Sequence, residues 1–368
     1  MRLKSFWISL LVFSSLGGTQ VFAQSKVFFE KLEKKGDIYL YQGKPYTGTS
    51  VLLFDNKKNW QRVEWKEGKI HGWFKSWYIN GRTDQKVQYQ NGIRHGSYHS
   101  FHDNGNDKIV CNYVNGKRDG VFTEYYKSGI NKRKVNYDDG VKNGPLTIWF
   151  PNGKKEQEGN FKDGKPHGTV VSYTQIETKR KEVNYVNGLR HGFSYIYHSS
   201  GVIGEETEYN MGFIHGKKIV YDPKHNKLSE QTYVMGKLDG VSIKYRPPVN
   251  ASPVGYKIEQ AHYKAGKLDG EYIKWVDQKI DMRGNYSNGL KTGEWIEHAS
   301  NDGSKSSGSY KAGKKHGPWI IGHSRLFGKS EGSFHNGLKD GKWTVYNHKN
   351  KKTRVENWDK GQLLSVVD

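Results

Sequence analysis

The chain repeats itself most plainly over residues 89–120, which read YQNGIRHGSYHSFHDNGNDKIVCNYVNGKRDG. The aromatic residue Tyr89 stands three positions before Gly92, and a second glycine, Gly96, follows four positions after the first. The same pattern returns 24 residues later at Tyr113, Gly116 and Gly120. A fixed period of this length is typical of a repeat architecture, in which one small unit is used many times.

The pattern extends in both directions along nearly the whole chain. The first glycine of each pair is, in order, Gly68, Gly92, Gly116, Gly140, Gly164, Gly188, Gly212, Gly236, Gly266, Gly289, Gly313 and Gly337, and a last half-unit begins at Gly361. All steps are of 24 residues except one of 30, before Gly266, and one of 23, before Gly289. We assign structural roles in the repeat to Gly92, Gly96, Gly116, Gly120, Gly164, Gly168, Gly188 and Gly192, and to the aromatic residues Tyr89, Tyr113 and Tyr185.

A second turn signal lies between successive glycine pairs, as in Asn80-Gly81 and Asn152-Gly153. Asn-Gly favours tight hairpins because both residues tolerate a positive φ. Two turns per repeat leave two strands of about six to eight residues, rich in Tyr, Trp, Val and Thr, which suit a pleated sheet. The sequence therefore predicts an all-β protein, an elongated antiparallel meander built from about 13 tandem β-hairpin repeats.

The composition contains too few aliphatic residues for a conventional core. Apolar residues make up 34% of the chain, whereas Gly (44), Tyr (24) and Trp (11) are abundant, and an aromatic content of 14% argues against disorder. One cysteine, Cys111, excludes an internal disulfide framework. It occupies a slot that holds Val87 and Val135 in other repeats, so we interpret it as a small apolar filler. Cross-strand ladders between neighbouring repeats must supply the stability.

Residues 1–23 have the features of a cleaved signal peptide. Arg2 and Lys4 precede an apolar run over residues 6–16, and Val21-Phe22-Ala23 fits the small-x-small cleavage rule. The run is shorter than the roughly 20 residues that span a bilayer, so we expect no transmembrane segment after cleavage. The prediction is a protein secreted across the inner membrane, with a periplasmic, cell-surface or extracellular location.

The remaining residues, 24–368, are interpreted as a single repeat array. It comprises a divergent N-terminal cap over residues 24–60, regular repeats over 61–345 and a C-terminal half-repeat over 346–368. A proline-rich insertion over residues 246–255 interrupts it. Because prolines are excluded from central strands, we expect this insertion to leave the sheet as a loop without ending the domain.

The repeat resembles the MORN repeat, and more closely its bacterial variant, whose relatives often carry an antitoxin-like label. The family pattern is Gly-x-Tyr/Phe-x-Asn/Asp-Gly-x-x-His-Gly, and it appears here as GNFKDGKPHG over residues 159–168 and as GSYKAGKKHG over residues 308–317. The resemblance covers about residues 38–364. It implies a β-repeat fold that serves as a scaffold and contact surface. Eukaryotic members carry a glycine two residues after His-Gly, whereas here that position holds Phe74, Tyr98, Phe122, Tyr272, Trp295, Trp319 and Trp343.

No catalytic, cofactor-binding or metal-binding constellation is predicted, and we interpret the protein as non-enzymatic. Six repeats place a histidine before the second glycine, namely His71, His95, His167, His191, His215 and His316. Equivalent residues of adjacent hairpins lie about 9–10 Å apart, too far to converge on one ion, so a structural turn role is favoured. Ser330, in a Gly-x-Ser-x-Gly sequence, lacks the following helix that a nucleophile elbow requires.

A row of cations is the strongest candidate for function. The formal net charge is +22, and many repeats carry Lys or Arg in the second position after the first glycine. We name as candidate partner-binding residues, and call the basic row, Arg94, Arg118, Lys142, Arg190, Lys291, Lys315 and Lys339. Stacked turns would space these cations by about 9–10 Å along one sheet edge. Two interpretations remain open: solubility with edge protection, and attraction to an anionic partner.

Two functional hypotheses follow. The first is a secreted scaffold that binds a protein or an anionic envelope polymer or lipid through the basic edge; an extracellular location argues against nucleic acid. The second is a cell-envelope protein that binds carbohydrate or anionic lipid, with exposed aromatic rings stacking on its ligand. Solvent exposure of the row formed by Trp295, Trp319 and Trp343 distinguishes the two. The sequence indicates no oligomeric state.

Overall fold

The protein is described by a computed structural model that covers residues 26–248, 255–298, 304–324 and 328–368. The predicted signal peptide lies outside these residues. The described chain is almost entirely β-strand, with one 3-10 turn at Phe29–Lys31, and within it no helix is long and apolar enough to cross a membrane. The described residues form two compact units, unit 1 up to Arg118 and unit 2 from Asp119 onward, and the boundary falls inside a strand instead of at a linker.

Unit 1 is an antiparallel meander with a small additional sheet at its beginning. Its strands are β1 (Lys26–Phe28), β2 (Glu33–Lys35), β3 (Ile38–Tyr41), β4 (Lys44–Pro45), β5 (Gly48–Leu53), β6 (Asn59–Lys66), β7 (Lys69–Trp77), β8 (Thr83–Gln90), β9 (Ile93–Phe101) and β10 (Asp107–Val114). Strands β5 to β10 pair in chain order. Strand β1 pairs with β5 in the parallel direction, which the sequence did not predict.

The segment that was predicted as an N-terminal cap covers the first aromatic residue of the array. Strands β2, β3 and β4 form their own three-stranded sheet. Trp65 is buried, with Tyr39 at 4.8 Å and Phe29 at 6.3 Å between ring centroids. Its indole N–H donates to the Ser50 hydroxyl at 2.8 Å. These residues form a buried cluster around Trp65 at the beginning of the meander.

Unit 2 continues the same construction. Strand β11 (Lys117–Tyr125) crosses the unit boundary, and its residues from Gly120 onward pair with β12. The other strands are β12 (Asn131–Asp138), β13 (Val141–Trp149), β14 (Lys155–Lys162), β15 (Lys165–Pro166), β16 (Gly168–Tyr173), β17 (Lys179–Val186), β18 (Leu189–Tyr197), β19 (Ile203–Asn210), β20 (Phe213–Tyr221), β21 (Lys227–Val234), β22 (Lys237–Arg246), β23 (Tyr256–Lys264), β24 (Lys267–Val276), β25 (Lys279–Ser287), β26 (Leu290–His298), β27 (Lys305–Lys311), β28 (Lys314–Ser324), β29 (Gly328–His335), β30 (Leu338–Tyr346), β31 (Lys352–Asp359) and β32 (Gln362–Val367). The prediction of an all-β antiparallel meander is confirmed.

The first glycine of each pair lies in a two-residue hairpin turn, which we call a tip. In the tip at Asn91-Gly92 both residues have a positive φ, 51° and 86°, as a type I′ turn requires. Neighbouring tips are joined directly, because the Gly92 N–H donates to the Ile70 carbonyl at 2.7 Å. The same bond recurs along unit 2, as from Gly212 to Arg190 at 2.8 Å. The tips therefore stack in a row along one edge of each sheet.

The second glycine does not belong to the turn. Gly96 lies within β9 at a φ of 98°, where it makes a β-bulge that a residue with a side chain would strain. The bulge frees the N–H of Ser97, which donates to the Gln88 side-chain oxygen at 2.7 Å. Because this segment is strand, β9 has 9 residues, one more than the predicted six to eight, whereas β8 has 8.

The edge of the sheet opposite the tips, which we call the loop edge, contains turns of a different type from the predicted tight hairpins. Asn80 does not have a positive φ, and only Gly81 of the pair does, at 84°. Instead, the Asn80 side-chain oxygen accepts a hydrogen bond from the Arg82 N–H at 3.0 Å, closing an Asx turn inside a longer loop. Its amide also donates to the Asp103 carbonyl in the next loop at 3.0 Å.

One face of each sheet, which we call the ring face, carries the aromatic column that includes Tyr89 and the column that includes Phe74 and Trp319. Cross-strand partners on this face compensate one another in size. In unit 1 Val63 pairs with Phe74, whereas in unit 2 Gly308 pairs with Trp319 and Ala261 with Tyr272. Each ring covers the backbone of its neighbour. A sheet of one layer can therefore bury its aromatic rings without a second layer packed against it.

The proline-rich insertion leaves the ladder intact. Strands β22 and β23 pair on either side of it, from Gly240 with Tyr263 to Arg246 with Tyr256. The tips also stay joined, because the Gly266 N–H donates to the Leu238 carbonyl at 2.7 Å. The ladder and the row of tips therefore continue across this point of the sequence; of the insertion, residues 249–254 lie outside the described residues.

Candidate interaction surfaces

The basic row of unit 2 lies over aromatic rings. The Lys315 ammonium is 4.1 Å from the Trp319 ring centroid and 5.5 Å from that of Phe334. Lys339 lies 4.5 Å from both Trp343 and Trp358. Each lysine thus fills the space between two rings and gains a cation–π attraction.

The other members of the row follow the same rule where they contact a ring. In unit 2, Lys291 lies 4.2 Å from the Trp295 centroid, Lys142 5.1 Å from that of Phe161 and Arg190 5.3 Å from that of Tyr209. In unit 1, Arg94 is exposed, although its guanidinium lies 5.6 Å from Tyr98 and 5.5 Å from Tyr113, and Arg118 is half-buried. Most of these cations therefore lie against the sheet, whereas the sequence suggested freely exposed turn charges.

Within the basic row, burial affects the protonation of Lys315. Desolvation lowers the pKa of the Lys315 ammonium below its ordinary value, with Glu297 opposing the change and Lys291 adding to it. A cation that loses hydration in the folded state contributes to packing as well as to charge. At Lys315, therefore, the contacts with the Trp319 and Phe334 rings offset a cost of desolvating the charge.

The tryptophan row is buried. Trp295, Trp319 and Trp343 are 1%, 2% and 0% exposed. Each indole N–H donates to a backbone carbonyl, as from Trp319 to Ser309 at 2.9 Å, and the rings meet their neighbours edge-on, as Trp343 does with Phe334 at 5.1 Å. These rings are occupied with one another, which weighs against a ligand stacking on this row.

Three members of the histidine column, His71, His95 and His215, cap the neighbouring tips, whereas the buried Nδ1 atoms of His167 and His316 have no hydrogen-bond partner in the described part of the chain. The Nδ1 atom of His71 accepts a long hydrogen bond, 3.4 Å, from the Asn91 N–H of the next tip. Asp239 does the same for Ala265 at 3.0 Å, and Asp269 for Asn288 at 2.9 Å. Histidine and aspartate are interchangeable here because both present an acceptor to one backbone N–H. No group of side chains among the described residues is arranged to hold a metal ion.

Ser330, of the Gly-x-Ser-x-Gly sequence, lies in the middle of strand β29, between Gly328 and Gly332. The elbow geometry that exposes a nucleophile needs a turn from strand to helix at the serine. The surroundings of Ser330 do not provide that turn.

A ladder of glutamates on the face opposite the ring face was not predicted from the sequence. Glu158 accepts hydrogen bonds from Lys155, at 2.7 Å, and from the Tyr173 hydroxyl, and these hold its pKa below the ordinary value. Burial and the bond to Glu158 raise the pKa of Tyr173 to about 12. Glu182 repeats the arrangement with Lys179. The signal was present as four glutamates spaced by 24 residues, Glu158, Glu182, Glu206 and Glu230, but their lysine and tyrosine partners are defined only by the register.

The lysines that reach solvent along the tip edge occupy the first position after the first glycine. Lys69 in unit 1 is exposed, as are the lysines of unit 2 at this position: Lys165, Lys237, Lys267 and Lys314. Each extends from a tip that is hydrogen-bonded to its neighbour. Together with the basic row they make the tip edge of each unit cationic.

Comparison with known proteins does not place the chain in a family. No family model matches the sequence, and no curated protein matches it. Among solved structures it is similar to a chain of the TcdB2-TccC3-Cdc42 complex, at 10% identity and a TM-score of 0.15, covering 86% of this chain and 20% of that chain. A chain of the TcdB2-TccC3-TEV structure gives 9% identity and a TM-score of 0.14, covering 89% of this chain and 24% of that one. The chain thus spans a quarter or less of those chains, and such low scores carry no argument about function.

Proposed function

We propose that the protein is an exported, non-enzymatic scaffold that binds an anionic macromolecule of the cell envelope through the tip edge of its sheets. The observation that carries the proposal is the row of exposed lysines on hydrogen-bonded tips. On the ring face, in contrast, side chains are largely engaged with one another. Export rests on the signal-peptide pattern of residues 1–23 and on no structural feature.

A cationic edge suits an extended polyanion. Tips of neighbouring hairpins are expected about 9–10 Å apart, close to the distance of roughly 8–10 Å over which salt screens exposed charges. Because tips with an apolar first position lie between most of the exposed lysines, each lysine attracts a flexible polyanion almost independently, and their contributions accumulate along its length. The half-buried cations of the basic row add to the field of the edge, and their contacts with rings fix their positions.

The test neutralises the tip edge while the net charge is matched in a control. We expect the mature protein to bind heparin, as a probe for acidic polysaccharides, with an affinity that falls as salt rises. Replacing Lys165, Lys237, Lys267 and Lys314 with Gln is expected to weaken binding more than the same replacement at the loop-edge residues Lys154, Lys224, Lys349 and Lys351. Equal losses would mean that bulk charge alone matters. Absence of binding to heparin and to lipopolysaccharide at low salt would overturn the proposal.

A further inference from the structure

Strand β18 carries three aromatic side chains in a line on the face opposite the ring face. Phe193, Tyr195 and Tyr197 alternate along the strand, and we call them the aromatic strip. The ring centroids of Phe193 and Tyr195 are 6.2 Å apart, and those of Tyr195 and Tyr197 are 6.4 Å apart. Phe193 is 41% exposed and both tyrosines are half-buried, so the strip meets solvent.

The repeat pattern does not require two of these three rings. At the first two positions of the strip, the repeat before holds Thr169 and Val171, and the repeat after holds Lys217 and Ile219. Only the third position, that of Tyr197, is aromatic in most repeats, and no other repeat combines aromatic residues at all three positions. Since the neighbouring hairpins form without the two additional rings, these rings suggest a role other than folding.

Carboxylates flank the aromatic strip on both sides. Glu182 on β17 and Glu206 on β19 are the two cross-strand partners of Tyr195. Glu182 is bonded to the Lys179 ammonium at 2.7 Å, whereas Glu206 is half-buried and accepts no hydrogen bond from another described side chain. Burial, with Glu206 and Glu182 on either side, raises the pKa of Tyr195, so its hydroxyl keeps its proton and can donate.

An aromatic line between carboxylates has the chemistry that recognises a chain of β-1,4-linked sugar rings. A pyranose ring with equatorial substituents has two faces of C–H groups, which pack on aromatic rings, and a rim of hydroxyl groups that reaches acceptors at either side. The distance along the strand from Phe193 to Tyr197 is about 13 Å, roughly the length of two or three linked rings. Carboxylates accept hydrogen bonds more strongly than neutral oxygens do.

We propose that the aromatic strip binds a neutral β-1,4-linked glycan that lies along β18. Its sugar rings stack on Phe193, Tyr195 and Tyr197, and its hydroxyl groups donate hydrogen bonds to Glu182 and Glu206. An acidic glycan would be repelled by the same carboxylates. The site is separate from the proposed function, because it uses a face of the sheet instead of the tip edge and takes a neutral ligand.

A basic peptide is the alternative ligand, since aromatic rings and carboxylates also attract cations. The charge of the protein opposes it, because a formal net charge of +22 repels a second cation. Lysines also already pair with carboxylates on this face, as Lys179 does with Glu182 and Lys217 does with Glu230 at 2.8 Å. A neutral ligand suits this balance of charges better.

The decisive variant gives β18 the residues of the preceding repeat. Phe193→Thr and Tyr195→Val install the residues found at Thr169 and Val171, so the double variant should fold, which circular dichroism checks. A second variant, Glu206→Gln, keeps the rings and removes the charged acceptor.

The matched control removes a ring at an equivalent position outside the strip. Trp73→Ser in β7 installs the residue found at Ser97 in the next repeat, and the middle position of that strand is Lys75 instead of an aromatic residue. It therefore tests whether loss of any ring on this face weakens binding.

The measurement is isothermal titration calorimetry of the mature protein with cellohexaose, chitohexaose and maltohexaose. We expect at least one of the two β-1,4-linked probes to bind, and maltohexaose, whose α-1,4 links curl the chain, to bind about tenfold more weakly. The double variant should lose about tenfold in affinity and Glu206→Gln about threefold, while Trp73→Ser loses nothing. Heparin binding should be unchanged in the double variant, because the cationic edge is kept.

Four outcomes would overturn the inference. They are absence of binding to both β-1,4-linked probes, equal binding of maltohexaose, and equal losses in the double variant and in Trp73→Ser. The fourth is tighter binding of a lysine- and arginine-rich peptide that the double variant loses, which would assign the strip to a basic peptide. Heparin binding that persists in any of these cases would leave the proposed function standing.

Discussion

Single residues on the ring face are matched in size to the partner across the strand, and the match is testable at Gly308. A Cβ added there would overlap the Trp319 ring, and Gly308 has no positive φ to complicate the change. We expect Gly308→Val to lower the free energy of unfolding by about 1–3 kcal/mol, the usual cost of overpacking. Chemical denaturation with tryptophan fluorescence measures the loss.

The second substitution in this test restores a pair that the chain already uses. Adding Trp319→Phe to Gly308→Val reproduces the pairing of Val63 with Phe74. The double variant should therefore recover stability, giving a favourable coupling energy between the two sites. Additive losses would show that size matching across the strand does not determine this packing.

The residues also show where reasoning from sequence stopped. The aromatic column and the small residues beside it were predicted because both follow the 24-residue period. The position of the Lys315 side chain was not, because a column of lysines looks alike whether its ammonium groups extend into water or fold over rings. The choice depends on the distance to Trp319 and Phe334, which only the cross-strand register fixes.

At the scale of elements, the hairpin is the unit that the chain adds or removes. Deleting Gly164 to Asn187 removes 24 residues and joins Asp163 to Gly188, so each remaining strand keeps its direction and face. We expect a cooperatively folded protein whose Tm changes by only a few degrees, because nearest-neighbour ladders are kept. Circular dichroism during heating measures this.

Deleting only residues 164–175 is the matched test. It removes one strand and reverses the direction of every strand that follows, which places the rings of the later repeats out of reach of their partners. Loss of cooperative unfolding is the expected result. Similar melting of the two deletion variants would contradict the hairpin as the folding unit.

The period predicted the hairpins but not the details of their ends. Two glycines four residues apart look equivalent in the sequence, yet Gly92 makes the turn and Gly96 the bulge. Which glycine makes the turn and which makes the bulge depends on which backbone N–H groups form hydrogen bonds with the partner strand. The parallel pairing of β1 with β5 was also missed, since three residues with no period give no register.

For the whole molecule, the tyrosines predict a loss of stability at alkaline pH. Burial, reinforced by Glu259, raises the pKa of Tyr272 to about 12, and that of Tyr173 is also about 12. Burial likewise raises the pKa values of Tyr195, Tyr197, Tyr221, Tyr286 and Tyr310. The unfolded chain therefore releases phenolic protons near pH 10 while the folded chain still holds them, so stability falls between about pH 10 and 12.

Denaturant midpoints measured across that range, together with the absorbance of the phenolate, test this prediction. The depressed pKa of Lys315 acts in the opposite direction, because its desolvated cation becomes neutral as pH rises. Burial lowers the pKa of Lys181 in the same way, but two lysines oppose a larger number of tyrosines, so the tyrosine effect should dominate. Ionisation of all phenols near pH 10 in the folded protein, with stability unchanged, would contradict it.

The bonds between neighbouring tips have a mechanical consequence. Because each tip is joined only to the tips beside it, tension that peels hairpins from the end of unit 2 would load one ladder at a time. Each hairpin released would lengthen the chain by 24 residues, about 80 Å at full extension. The step of 30 residues before Gly266 would release about 100 Å instead. A protein built in this way yields in small increments under load and keeps the rest of its surface in place.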